Sequence, residues 1–182
     1  FDPVAAKKLL ADAGYPNGFE VGMNCPNDRY VNDEEICKAV SAMLARAGIK
    51  VNLAAETKGT YFPKILSRNT SFYMLGWTPG SYDSHNPLFA LMATPGAGGQ
   101  GQFNLGSYSN AKVDELFKAG TTENDPAKRG QQYKEAQRLI VEDAVHVWVH
   151  EMQFANVYNK KFKNLVTSPL GVYSSFAEAY SE

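Results

Sequence analysis

The stretch Trp77–Asn86, reading WTPGSYDSHN, gathers a carboxylate (Asp83), an imidazole (His85), an amide (Asn86), hydroxyls (Ser81, Tyr82) and an indole (Trp77). Such residues suit two kinds of work. Asp83 and His85 could act as acid and base in a hydrolase, or the same groups could form a polar binding loop. In that loop the carboxylate takes a cation, the imidazole and amide take hydrogen bonds, and the rings stack on a ligand. Side chains this close in sequence cannot all converge on one reacting atom, so binding is the preferred reading. The loop follows Ser71–Gly76, an apolar aromatic run of strand length. A buried strand that opens into a polar loop is where an open α/β sheet places its ligand.

Other chemistry finds little support. His146 and His150 stand four apart, a metal spacing on a helix. The flanking valines read as a strand, where that spacing separates the rings by roughly 13 Å. A metal-chelate ligand would be met by His85, with His146 or His150 as further candidates. There is no GxSxG, HExxH or GxxxxGK[ST], and no cofactor is expected. The Gly-rich Gly96–Gly101 has a phosphate loop's composition but no strand leading into it and no Lys after it, and reads as a mobile surface loop. Cys25 and Cys37 match neither a metal pattern nor CxxC. Two independent buried thiols are expected, with a disulfide as the alternative.

With 182 residues, formal net charge −1 and no run of basic residues longer than two, the chain offers no field to attract nucleic acid or an anionic membrane. No stretch approaches the ~20 apolar residues of a membrane helix. The chain opens FDPVAAKKLL without an initiator Met, which reads as the middle of a longer protein, so missing targeting signals say nothing of compartment.

The elements that would hold the loops follow from caps and periodicity. Asp2-Pro3 starts a helix that Gly14 stops, with Val4, Ala5, Leu9, Leu10 and Ala13 on one side. Phe19–Cys25 alternates as a strand and leads into the polar loop PNDRYVN. Asn32 or Asp33 caps a helix with Ile36, Val40, Met43, Leu44 and Ala47 at 3.6-residue spacing, ended by Gly48. Ile49–Ala55 is a second strand, a short helix covers about Thr60–Arg68, and Ser71–Gly76 is the third strand. This order predicts an α/β fold of βαβ units with an open, mainly parallel sheet flanked by helices. Helices after Pro87, Asn110 and Asp125-Pro126 follow. Val145–Glu151 reads as a strand, residues 154–166 as a strand pair, and 167–182 shows no clear period.

Several segments, in this order, resemble the second lobe of extracellular solute-binding protein family 5, the oligopeptide-, dipeptide- and nickel-type receptors of ABC importers. They are FDPVAAKKLLADAGYPNGFEV, NDEEICKAVSAMLARAGIKVNL, TYFPKI, YMLGW, FNLGSYSNAKVDELF and DPAKRGQQYKEAQRLIVEDAVHVWVHE. The resemblance runs nearly the whole chain. It implies a type II periplasmic-binding-protein lobe, with residues 1–158 as the C-terminal ligand-binding lobe and 159–182 returning to the first lobe. It also implies a periplasmic or lipid-anchored receptor without catalysis. Its partners would be a peptide or similar small solute, the missing N-terminal lobe and the importer's permease.

In peptide-binding relatives an Asp three residues beyond the Trp of the GW pair holds the peptide α-ammonium. Here that position is Gly80, and the first acid is Asp83. Either Asp83 takes over or the ligand lacks a free ammonium. The segment Asn27–Tyr30 matches one that supplies an Arg and a Tyr to a ligand carboxylate, making Arg29 and Tyr30 the candidates. The expected ligand-binding set is therefore Asn27, Arg29, Tyr30, Trp77, Tyr82, Asp83, His85 and Asn86.

Overall fold

A computed structural model describes residues 2–81, 83–153, 155, 157–167, 174–175 and 179–181. The chain divides into two compact units, Phe1–Trp77 with Ala90–Asn110, and Thr78–Phe89 with Ala111–Glu182.

In the first unit, helix α1 (Pro3–Asp12) begins where Asp2 Oδ1 accepts the N–H groups of Val4 and Ala5. The apolar side expected for it is only partly used. Pro3, Ala6 and Leu10 are half-buried, whereas Val4 and Leu9 are 79% and 69% exposed. Strand β1 (Phe19–Pro26) runs parallel to β2 (Ile49–Glu56) in unbroken register from Phe19↔Ile49 to Pro26↔Glu56. Between them lies α2 (Asp33–Ala47), whose covered stripe is Asp33, Cys37, Val40, Leu44 and Ala47, the spacing one helix face requires. Helix α3 (Lys58–Leu66) leads to β3 (Phe72–Tyr73), which pairs parallel with β1 through Met23↔Phe72 and Asn24↔Tyr73. The sheet order β2-β1-β3 is the parallel α/β arrangement expected.

The third strand is shorter than Ser71–Gly76 because tyrosines replace its ladder. Met74 N–H still donates to the Asn24 carbonyl, but Tyr61 O–H donates to the Met74 carbonyl, and the Tyr30 hydroxyl takes both backbone groups of Gly76. Once side chains satisfy those groups, the backbone needs no neighbouring strand. One core cluster joins Met23, Cys25 and Cys37 to Val51, Leu53, Phe72 and Met74; another joins Tyr61, Ile65 and Leu105 to Phe62, Tyr73 and Leu75.

The two cysteines are not independent thiols. Cys25 and Cys37 form a disulfide with Cα atoms 6.6 Å apart, both fully buried. Spacing alone could not show this, because the pair meets only when α2 folds back onto the end of β1.

Helix α4 (His85–Met92) belongs to both residue ranges. The Gly-rich segment after it lacks regular structure but is tied down. Buried Asn104 donates to the carbonyls of Ala93 and Tyr108 and accepts the Tyr108 N–H, and Gln100 donates to the Thr94 carbonyl. The expected loop is present, and its hydrogen bonding is what composition did not reveal.

In the second unit α5 (Ala111–Thr122) packs on α6 (Pro126–Glu142), which Asp125 caps through the N–H groups of Ala127 and Lys128. Val113, Phe117, Tyr133, Ala136 and Ile140 are buried. Val145–Glu151 is no strand: it has strand-like alternation but no ladder partner among the described residues. The strand pair expected within 154–166 takes another form. β4 (Phe162–Lys163) and β5 (Val166–Thr167) each pair antiparallel with later segments, β7 (Tyr180–Ser181) and β6 (Ser174–Ser175) respectively.

Candidate functional site

The loop leaving β1 is held at several points, and each uses a different polar residue. Asn27 N–H donates to the Glu56 carbonyl, and Asp28 Oδ1 accepts the Lys58 N–H at the start of α3, 2.6 Å away. Asp33 Oδ2 accepts the N–H groups of Arg29 and Tyr30, both at 2.9 Å, while its Oδ1 accepts that of Glu34. Tyr30 reaches Gly76 at the end of the third strand. A Cβ on Gly76 would lie 2.8 Å from the Tyr30 ring, so a glycine is needed for the two to meet.

Asp28, Tyr30 and Asp33 are thus occupied by the fold. Asn27 and Arg29 remain exposed, and among the described residues the Arg29 guanidinium has no carboxylate partner; its Cζ lies 4.9 Å from the Tyr30 ring centroid. Trp77 is half-buried with its ring edge-on to Phe103, centroids 5.1 Å apart.

Asp33 is 3% exposed. Burial by itself would raise its pKa, but the N–H groups of Tyr30, Arg29 and Glu34 more than offset this and hold it below the ordinary 3.8. Its folded-state pKa being depressed, its contribution is present above the unfolded value and is lost as pH falls through the folded one. Asp33→Asn is therefore expected to cost about 2 kcal/mol at pH 7, the scale of hydrogen bonds to a buried charge. Denaturation midpoints of the variant and the parent should converge as the pH falls through the depressed folded-state value, where the parent's carboxylate also protonates. A difference that persists unchanged into acid would show that the charge is not what holds the loop.

In the second unit Asp83 does not meet the imidazole of His85. Its Oδ2 lies 2.9 Å from Arg129 Nη2, and its Oδ1 accepts the His85 backbone N–H at 2.8 Å. Hydrogen bonding from Arg129, with the His85 N–H, keeps Asp83 below the usual carboxylate range. His85 Nδ1 sits 3.0 Å from the Tyr133 hydroxyl, and its ring stacks on Phe89. The acid–base pair of the hydrolase alternative is not formed. Asn86 is exposed, and Tyr82 lies outside the described residues. Asp83, Ser84, Arg129, Gly130, Tyr133 and Lys134 line part of an open hollow of about 480 Å³.

His146 is half-buried with Nδ1 unpartnered and its pKa lowered by burial, while His150 is exposed. Among the described residues no three His, Cys, Asp or Glu side chains gather as a metal site.

Sequence reasoning missed Arg129 and Tyr133 as partners of the 83–86 loop. Their i,i+4 spacing on α6 marks them as neighbours, but nothing local says what they face. Gly120 makes room for Tyr133: a Cβ there would lie 2.7 Å from the ring's Cζ. Alanine gains about 1 kcal/mol in helix propensity over glycine, and a displaced buried ring costs about 1–3 kcal/mol. Gly120→Ala is thus expected to lower stability overall, by about 1 kcal/mol, with the His85 ring resonances shifted in NMR spectra. A stabilised variant would mean that Tyr133 moves aside freely.

A parallel sheet flanked by helices, with its polar loop at the carboxyl ends of the strands, is one lobe of a type II binding protein. The chain belongs to the bacterial extracellular solute-binding proteins, family 5, whose middle-region model matches residues 1–99. It is 26% identical over 182 residues to the glutathione-binding protein GsiB of Pectobacterium atrosepticum, covering 96% of this chain and 34% of the relative. It is also similar to DppA from Helicobacter pylori, a periplasmic binding protein solved with the peptide STSA. That match has 27% identity and a TM-score of 0.72, over 79% of this chain and 28% of DppA. HbpA2 from Haemophilus parasuis shares the fold over 100% of this chain and 36% of its own, with a TM-score of 0.77 at 22% identity. The chain thus spans about a third of the length of these relatives.

Proposed function

We propose that this chain is most of the C-terminal lobe, residues 1–158, of an ABC-importer receptor, with 159–182 returning to the other lobe. The receptor closes on a peptide or similar small solute and delivers it to a membrane permease without chemical change. The observation that carries this is Arg29: an exposed guanidinium without an acid partner among the described residues, on a loop that Asp28, Tyr30 and Asp33 hold in place. A fixed cationic fork at the carboxyl end of a parallel strand suits a ligand carboxylate. Glutathione and the peptide STSA, named with two relatives, both carry one.

On this reading Asn27 flanks the carboxylate, the Tyr30 ring backs the Arg29 guanidinium, and Trp77 offers a stacking face. The 82–86 loop is proposed as a separate contact through His85 and Asn86. Asp83, already neutralised by Arg129, serves it as a brace more than as an ammonium clamp. The buried disulfide fits an oxidising compartment, the periplasm or the outer face of a lipid-anchored receptor.

The test is native mass spectrometry of the whole receptor purified gently from its host, followed by thermal shift with Met-Leu and glutathione. A retained carboxylate-bearing solute, or a stabilising shift with either probe, is expected. A receptor that comes out empty and ignores both, or one that turns its ligand over, would overturn the proposal.

A further inference from the structure

The disulfide lies in an unusual relation to the candidate loop. Cys25 is the penultimate residue of β1, and Cys37 is one turn inside α2. The bond closes a segment whose irregular part, residues 27–32, carries Asn27, Arg29 and Tyr30. Cys37 and Asp33 stand four apart on one face of α2, both buried. The same face of the same helix therefore holds the covalent anchor to β1 and the carboxylate that grips the Arg29 and Tyr30 N–H groups.

Among the described residues the disulfide is the one covalent link between α2 and β1. Asn32, at the N-cap, is in the left-handed region (φ 57°) and makes no side-chain capping bond. Helix ends without a cap fray readily. If the first turn of α2 shifts, Asp33 shifts with it, and so do the two amides that set the backbone of Arg29.

We infer that the Cys25–Cys37 disulfide is a positioning element of the ligand loop, and not only a staple of the fold: it fixes the first turn of α2 on β1, and Asp33 passes that position to Arg29. The inference rests on the proposed reading of Arg29 as the carboxylate contact. Both sulfurs are fully buried, which makes the bond a permanent strap in the folded protein.

The experiment compares the whole receptor with its Cys25→Ala/Cys37→Ala variant and with Cys25→Val/Cys37→Ala, which refills the buried volume should the first pair fold poorly. Two readouts are taken. The first is amide hydrogen exchange at Arg29 and Tyr30, set against Ile65 in α3, which belongs to the other core cluster. Loss of protection at 29 and 30 by about tenfold more than at Ile65 is expected, since the first turn of α2 can then lift from β1 by local opening. The second is affinity for Met-Leu relative to its C-terminal amide, and this ratio is expected to fall by about fivefold as the loop loses its preorganisation.

Equal loss of protection at all three amides would overturn the inference, because a staple of the whole fold loosens every amide alike. So would an unchanged affinity ratio in a variant whose loop amides have become exposed. Arg29→Ala with the disulfide intact separates the two readings: if it leaves the acid-to-amide ratio unchanged, the carboxylate assignment fails, while the exchange data still decide the strap.

Discussion

Arg29→Ala in the whole receptor is expected to weaken Met-Leu binding by about 10- to 100-fold, the range set by losing charge-assisted hydrogen bonds to a carboxylate. Affinity for the C-terminal amide of the same dipeptide should hardly change, because no charge faces the guanidinium there. Arg29→Lys should fall between the two, since an ammonium supplies charge but not the planar fork that engages both oxygens. Stability is expected to move little. Arg29 is exposed, and its contact with Tyr30 contributes about 0.5–1 kcal/mol at such a site. Titration calorimetry with acid and amide decides the matter. Equal weakening for both ligands would assign Arg29 to shaping the loop and not to meeting the carboxylate.

Gly18→Ala is expected to be the most damaging single methyl group in the first unit. Gly18 has φ +73°, and a Cβ there would fall 1.8 Å from the carbonyl oxygen of Gly48, the residue that ends α2. A left-handed backbone costs a non-glycine residue about 1–2 kcal/mol. Moving one backbone away from another adds about 1–3 kcal/mol more. The total, about 2–5 kcal/mol, is a large part of the 5–15 kcal/mol by which domains are ordinarily stable. Gly18 also precedes Phe19↔Ile49, the first pair of the β1–β2 register, so the shift falls where the ladder starts.

Gly14 supplies the control. Its φ is +91°, but a Cβ there meets nothing within 4 Å. Gly14→Ala should therefore cost only the conformational part, about 1–2 kcal/mol. Urea denaturation of the two variants separates strain from collision. Equal losses would mean that the turn, and not the approach to Gly48, sets the requirement at Gly18.

The helices were legible because their signals are local. Asp2-Pro3 and Asp125-Pro126 cap their helices through N–H groups two and three residues away, and Gly48 ends α2 in a left-handed conformation. Strands β1 and β2 declared themselves by alternation, and their loop was placed correctly after β1. The third strand was read too long: the apolar run is real, but the backbone of residues 74–76 is met by two tyrosine hydroxyls that no period announces. Val145–Glu151 alternates as a strand should, yet alternation supplies no partner, and a ladder needs one.

The sequence by itself determined the parallel α/β lobe, the position of the polar loop after β1 and, through resemblance, the family. Caps, periods and turn residues act within one or two helical turns, so residue order is enough to read them. Tertiary structure alone decided who holds whom. Cys25 meets Cys37 because α2 folds back on β1. Asp33 serves the loop and not only its helix, because burial leaves it the Arg29 and Tyr30 amides as partners. Asp83 is tied to Arg129, 46 residues away in sequence. A carboxylate's charge is written in the chain, but its partner depends on which surfaces come within about 3 Å once the core has formed, and that distance is set by packing.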